Sequence, residues 1–176
     1  MREARLKEPN TQGEVRELHK ILRSDPQRYL QIVNGWIAEN PRNAQAYFNR
    51  HSAWMSLGQP RLALEDMDRV VALDPKPVDL QSRGDIHRHL GEHAKALDDY
   101  DRAEAMNPAK WEDDAFGLLS QADSHARLGE LARALACCAR LPDDFWTPGL
   151  NGAPAGGKAD IANALRLTAA RSAGGQ

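Results

Sequence analysis

Cysteine is scarce in this chain: there are two among 176 residues, and they are neighbours, Cys137 and Cys138. Adjacent residues on a helix point in different directions, so two reduced, packing thiols are expected rather than a structural disulfide. An excess of one charge is also missing. Lys and Arg number 23 against 25 Asp and Glu, for a net charge of −2, and the two signs are interleaved along the chain. The basic stripe of a nucleic-acid binder is therefore absent, and no nucleic-acid partner is expected. Nowhere do about 18 apolar residues run together, and Met1 to Asn10 is charged without an apolar core. A cytoplasmic protein with no membrane partner is the expectation.

What the chain does have is a mark that returns. Leu57-Gly58, Leu90-Gly91 and Leu128-Gly129 are each followed by an Ala-Leu pair, Ala63-Leu64, Ala96-Leu97 and Ala134-Leu135, and in every copy the Gly leads the Ala by five. A fixed offset inside a recurring unit is the signature of a repeat architecture. Pro75 and Pro108 each stand 17 residues after their Gly, and Pro41 stands 34 before Pro75. The step from Gly58 to Gly91 is 33 residues and the next is 38, with the excess in the connector around Ala109 to Asp114. Four units are readable, the outer two degraded.

Each unit reads as two helices, with Gly in the turn and Pro beyond the second helix, where it cannot continue one. Tyr47, Arg50, Trp54 and Leu57 recur at helical spacing, as do Leu64, Met67, Val70, Val71 and Leu73. Small residues at Ala53, Ala63 and Ala96 let neighbouring helices approach closely. A composition of 41% hydrophobic and 27% charged residues suits one domain with a proper core.

These residues resemble the tetratricopeptide repeat, a 34-residue helix-turn-helix unit. Tyr47, Trp54, Gly58, Ala63 and Pro75 fit its pattern in the second unit, and Gly84, Gly91, Ala96, Tyr100, Ala103 and Pro108 fit it in the third. Departures are His51 where the family favours a small residue, and Leu80 and His87 at two aromatic positions. The fourth unit keeps Gly129 and Ala134 without a closing Pro, and the first fits only through Trp36 and Pro41. Terminal repeats acting as caps are expected to degrade in this way.

The resemblance implies an all-α, right-handed solenoid of about four antiparallel hairpins, with units at 11–41, 44–76, 77–108 and 112–141 behind an N-terminal arm at 1–10. It also implies a partner-binding groove on the concave side, lined by first-helix positions. Those positions here are Gln45, Phe48, Asn49 and Ser52, then Gln81, Ser82, Asp85, Arg88 and His89, then Phe116, Leu119, Asp123 and Arg127. Such a mixed surface suits an extended peptide or a partner helix. Chaperone adaptors of the family grip a terminal carboxylate with cations. Asn49 matches their Asn, but Glu14, Val78 and Ser82 stand at the cation positions, so no clamp of that kind is expected. Arg88 and Arg127 remain as a looser anionic site.

Pro142 to Gly157 is rich in Pro and Gly and holds Phe145 and Trp146, after which a helical pattern resumes over 158–173 with Ile161, Leu165 and Thr168 on one face. A capping helix is expected, with Phe145 and Trp146 pinning the loop to the array. Occupation of the groove by this tail and a tail that orders on binding are the alternatives. Gly152, Gly157 and Lys158 meet the first part of a phosphate-loop pattern, which makes a nucleotide-binding protein a further alternative. Ala159 lacks the hydroxyl for magnesium, however, and no apolar strand precedes Gly152.

His89 and His93 alone have the four-residue spacing of two ligands on one helix face, and Gly91 interrupts the helix between them. His51, His87 and His125 fall at packing positions. Asp98, Asp99, Asp101 and Glu104 read as a solvated helix face paired with Lys95 and Arg102. No metal, no cofactor and no catalytic group are expected, so the chain reads as a protein-interaction module and not an enzyme. A structural oligomerisation module, a homodimer through an end hairpin, is the other alternative, which solution mass separates.

Overall fold

The computed structural model of the protein describes residues 8–9, 11–149 and 152–174. Its helices are α1 (Gln12–Ser24), α2 (Pro26–Glu39), α3 (Ala44–Ser56), α4 (Pro60–Leu73), α5 (Pro77–His89), α6 (His93–Met106), α7 (Pro108–Glu112), α8 (Ala115–Arg127), α9 (Leu131–Arg140) and α10 (Lys158–Gly174). Two short strands, β1 (Trp146–Thr147) and β2 (Gly156–Gly157), complete the described elements. The chain divides into two compact units, residues 1–75 and 76–176.

The first unit holds α1 to α4. The degraded first repeat forms a full helical pair. Thr11 and Glu14 cap α1 reciprocally, with the Glu14 amide donating to Thr11 Oγ1 at 3.2 Å and the Thr11 amide donating to Glu14 Oε2 at 3.0 Å. Asp25 alone separates α1 from α2. Its carboxylate accepts from the Arg28 amide at 3.0 Å, and Pro26 supplies a helix-ready φ at the first position. Tyr29, Leu30, Val33 and Trp36 then bury one face of α2 against Leu18, Ala46 and Ala53. Helices α3 and α4 run antiparallel, since Arg50 and Asp66, eight residues on either side of Gly58, meet across the pair. Ala53 and Ala63 are fully buried, as their small size requires at a close helix contact.

The second unit holds α5 to α10. Arg83 and Asp99 repeat the same pairing across Gly91. The turn glycines of both units, Gly58, Gly91 and Gly129, have φ of +66°, +77° and +78°. A side chain there would cost roughly 1–2 kcal/mol, which is why Gly marks each turn. The 38-residue step has a cause in the structure. Pro108 closes one repeat as expected but also opens α7, an extra helical turn that Asn107 caps by accepting from the Lys110 amide at 3.3 Å. Trp111 on α7 is buried and donates from Nε1 to Gln121 at 3.1 Å.

Helix α10 packs on α8 and α9 as a cap. It buries Ile161, Leu165 and Ala169, while Thr168 is half-buried and Leu167 is 62% exposed. The Pro/Gly-rich segment before it is an excursion, not a bare linker. Strands β1 and β2 pair antiparallel, Trp146 with Gly157 and Thr147 with Gly156.

Candidate binding site

In the first unit the four expected residues share α3. Gln45 is exposed and donates from Nε2 to Asn49 Oδ1 at 3.2 Å, while Phe48, Asn49 and Ser52 are half-buried. The Phe48 ring meets His51 edge-on at 4.7 Å, and His51 Nδ1 bonds the Phe48 carbonyl. Burial holds the His51 imidazole below its usual pKa, against the opposing pull of that bond. His51 therefore fixes the backbone and ring of Phe48 as a neutral group, which leaves an aromatic edge beside two amides.

In the second unit the expected residues are wired to one another. Arg88 Nη1 donates to Asp123 at 3.3 Å, and Arg127 Nε donates to both Asp123 oxygens at 3.0 and 3.1 Å. Tyr100 Oη donates to Asp85 at 2.7 Å, with Ser120 Oγ on the same oxygen at 3.3 Å. Burial pushes the Asp85 carboxyl up from its ordinary value despite those donors and Arg88, and burial first and Asp85 second raise the Tyr100 phenol. Gln81 donates to Asp114 at 2.6 Å and Ser82 to the Val78 carbonyl at 2.8 Å. A small cavity of about 60 Å³ opens beside them, lined by Val78, Gln81, Trp111 and Asp114. His89 is exposed at the end of α5.

Three of these positions differ from the expectation of an open surface. Leu119 is 2% exposed, Asp123 1% and Arg88 6%, because α8 is packed by α6, α9 and α10 and the acid is enclosed by its two arginines. The looser anionic site expected at Arg88 and Arg127 is answered from within, since Asp123 takes both guanidinium groups. Asp99 is likewise no part of a solvated face. It is 1% exposed and accepts two bonds from Arg83, at 2.8 and 2.6 Å, while Asp98 and Asp101 remain exposed.

The residues of the partial phosphate-loop pattern have partners within the chain. Lys158 Nζ donates to the Leu141 carbonyl at 2.7 Å and to Asp143 at 3.0 Å, closing the base of the loop. The Gly157 amide donates to the Asp160 carboxylate at 3.1 Å. Among the described residues no group of three His, Cys, Asp or Glu is arranged to hold a metal ion. Both cysteines are free and buried, and burial pushes the Cys137 thiol up to about 11.

Two features escaped the sequence reading. The first is the Arg–Asp pair set symmetrically about the turn Gly in two successive repeats, a spacing visible in the sequence as Arg50/Asp66 and Arg83/Asp99. The second is a His–Glu bond across the turn: His87 to Glu92 at 2.9 Å and His125 to Glu130 at 2.7 Å. Both carboxyls lie below their usual pKa, Glu92 through Lys95 and then His87, and Glu130 chiefly through His125. A depressed folded-state pKa adds stability above the unfolded value, about 4.3, that is lost as pH falls through the folded one. Glu130→Gln is therefore expected to melt below the parent at pH 7, with the gap closing as the pH falls from about 4.3 through the lower folded-state pKa, as followed by circular dichroism across that range.

The repeated helical hairpins define the class: the chain has the all-α fold of tetratricopeptide-repeat proteins. Among solved structures of that fold, the chain is similar to YrrB, a tetratricopeptide-repeat protein described as having an unusual peptide-binding site, with a TM-score of 0.65 at 17% identity over 91% of this chain and 79% of that one. It is similar to MamA, with a TM-score of 0.62 at 15% identity over 92% and 90%. It is also similar to TTC0263, a thermophilic repeat protein of Thermus thermophilus, with a TM-score of 0.54 at 19% identity over 91% and 89%. No family model and no curated protein matches the sequence. No described helix is long and apolar enough to cross a membrane.

Proposed function

We propose that the chain is a protein-interaction module that holds an extended peptide or partner helix on its first-helix faces, with no catalytic step of its own. The observation that carries this reading is α3, where a half-buried Phe48 held by His51 shares the helix with half-buried Asn49 and Ser52 and with exposed Gln45, which bonds Asn49. An aromatic anchor beside amides that both donate and accept matches the backbone and side chains of a peptide. YrrB supplies a precedent for a peptide site on this fold. The carboxylate clamp of chaperone adaptors is not part of the reading, since Glu14 caps α1 and Ser82 bonds back to Val78.

Affinity capture from cell lysate with the parent beside Phe48→Ala/Asn49→Ala tests it, once circular dichroism has shown both chains folded. Truncating an interface anchor costs about 2 kcal/mol, so roughly thirtyfold weaker retention of the partner is expected. Equal retention by both chains would remove α3 as the binding face.

A further inference from the structure

In the second unit α5 and the start of α8 are joined by three polar rungs, Gln81 to Asp114, Ser120 to Asp85 and Arg88 to Asp123. The outer two are closed. Asp114 accepts from Gln81 on one oxygen and from the Gly117 amide on the other, at 2.9 Å, and Asp123 is enclosed by Arg88 and Arg127. The middle rung is open on one side. Tyr100 and Ser120 both donate to Asp85 Oδ1, no described group donates to Oδ2, and 41% of the Asp85 side chain is exposed. Gln81 spends its Nε2 on Asp114, which leaves its Oε1 as a second acceptor one helical turn from Asp85. Across the rungs three carboxylates, Asp85, Asp114 and Asp123, face two guanidinium groups, Arg88 and Arg127, so one negative charge is left over.

Two apolar features flank that open carboxylate. Phe116 stands one turn before Ser120 on α8, its ring 49% exposed and fixed edge-on by Phe145 at 5.7 Å. On the other side α7 walls the cavity of about 60 Å³, where Val78, Ala103 and Trp111 meet Gln81 and Asp114 of the first rung. A cavity of about 10–15 Å³ admits one water, so this one has room for roughly four heavy atoms, the size of a Val or Leu side chain. Val78 and Gln81 precede Asp85 on α5 by seven and four residues. At 1.5 Å per residue that is about 6–10 Å along the axis, which an extended chain covers in two or three residues.

We propose that this face of the second unit takes an extended peptide that seats a Val or Leu side chain in the α7 cavity and, two or three residues away, lays a Lys or Arg side chain along Phe116 with its charged head on Asp85 Oδ2 and Gln81 Oε1. The inference rests on the reading of the chain as a peptide-binding module and names the chemistry its second unit selects. A basic head supplies the donors that both acceptors lack and the charge that the rungs leave over, while its aliphatic stem covers the exposed ring. The cavity gives the peptide its register.

The test selects a displayed library of random nonapeptides on the full chain, then measures one retained peptide, labelled and blocked at both ends, by fluorescence anisotropy. Retained sequences are expected to share Lys or Arg two or three residues from Val or Leu. Replacing the peptide's basic residue with Gln is expected to weaken binding to the parent at least tenfold, and replacing its Val or Leu with Ala at least fivefold. On Asp85→Asn, which keeps an acceptor for Tyr100 and removes the charge, the change to Gln is expected to matter less than twofold. No retained peptide, no shared pattern, indifference to either replacement, or an equal loss on parent and Asp85→Asn overturns the proposal. Should Asp85→Asn fail to fold, Phe116→Ala at its half-exposed position serves, with at least threefold weaker binding expected and no loss overturning the proposal equally. Binding of the same peptide is expected to be unchanged by Phe48→Ala/Asn49→Ala, which lies in the first unit. Binding lost there and kept by Asp85→Asn would overturn this inference and leave the α3 reading standing, so the two fail separately.

Discussion

Replacing Gly84 with alanine is expected to lower the stability of the second unit by about 3 kcal/mol, although alanine is the better helix former by about 1 kcal/mol. A methyl group on Gly84 would stand 2.6 Å from Tyr100 Cε1 and 2.9 Å from Cδ1, with the Ala96 carbonyl 3.2 Å away. The Tyr100 ring is fully buried and its hydroxyl is bonded to Asp85 at 2.7 Å, so it has no free direction in which to move. Overpacking of this kind costs about 1–3 kcal/mol, and losing a hydrogen bond to a charged group adds about 1.5–3. These terms outweigh the gain in propensity. The net loss corresponds to a fall in melting temperature of roughly 10–20 °C for a unit of this size. Denaturant unfolding of Gly84→Ala beside Gly84→Ala/Tyr100→Leu reports the cause. Recovery of part of the loss in the double variant is expected, and an unshifted midpoint in the single one would show that the ring is not clamped.

The second large effect belongs to the paired Arg and Asp. Arg83→Ala is expected to cost about 3 kcal/mol, because Asp99, 1% exposed, keeps Arg102 at 3.6 Å as its remaining ion-pair partner among the described residues. A carboxylate left without its bidentate partner in the interior carries a desolvation penalty that its remaining contacts do not offset. Arg50→Ala is expected to do the same to Asp66 in the first unit, where the lost contacts also include Asn34 at 2.8 Å and the face of Tyr47. A double change to apolar residues, Arg83→Met with Asp99→Leu, is expected to regain most of the stability, since the cost lies in the orphaned charge and not in the absence of the pair. Equal destabilisation in the single and double variants, measured by chemical denaturation, would refute this account.

Both predictions bear on how the repeats are built. Gly84 and Tyr100 are repeat landmarks that the sequence marked, and their meaning is steric: one position is empty so that the other can be filled. The Arg–Asp pairs are equally present in the sequence, but nothing local marks them as buried. Asp99 sits among Asp98, Asp101 and Glu104, and a run of acids on an amphipathic helix looks like a wet surface. Only the antiparallel crossing of α5 and α6 about Gly91 shows that Asp99 points inward.

The candidate site divides along the same line. On α3 the four expected residues share one helix, and its 3.6-residue periodicity brings them near one another. On α8 the frame assigned Leu119 and Asp123 to an open groove, and the packing of α8 closes both. Phe145 was expected to pin its loop and does so through Phe116, whereas Trp146, expected beside it, is 66% exposed because the strand pairing turns it outward.

The sequence by itself determined the helical hairpins, their turns and the small residues between them, since these follow from local conformational preference and from spacings that repeat. Gly at the turns, Ala at close contacts and Pro beyond the end of a helix are properties of single residues and their near neighbours. The tertiary structure alone decided which charges are buried, that the longer step from Gly91 to Gly129 hides α7, and where the 142–157 excursion lies. These depend on contacts between residues far apart in the chain, such as Arg127 with Gly152 and Lys158 with Leu141, whose energies carry no local periodicity to read.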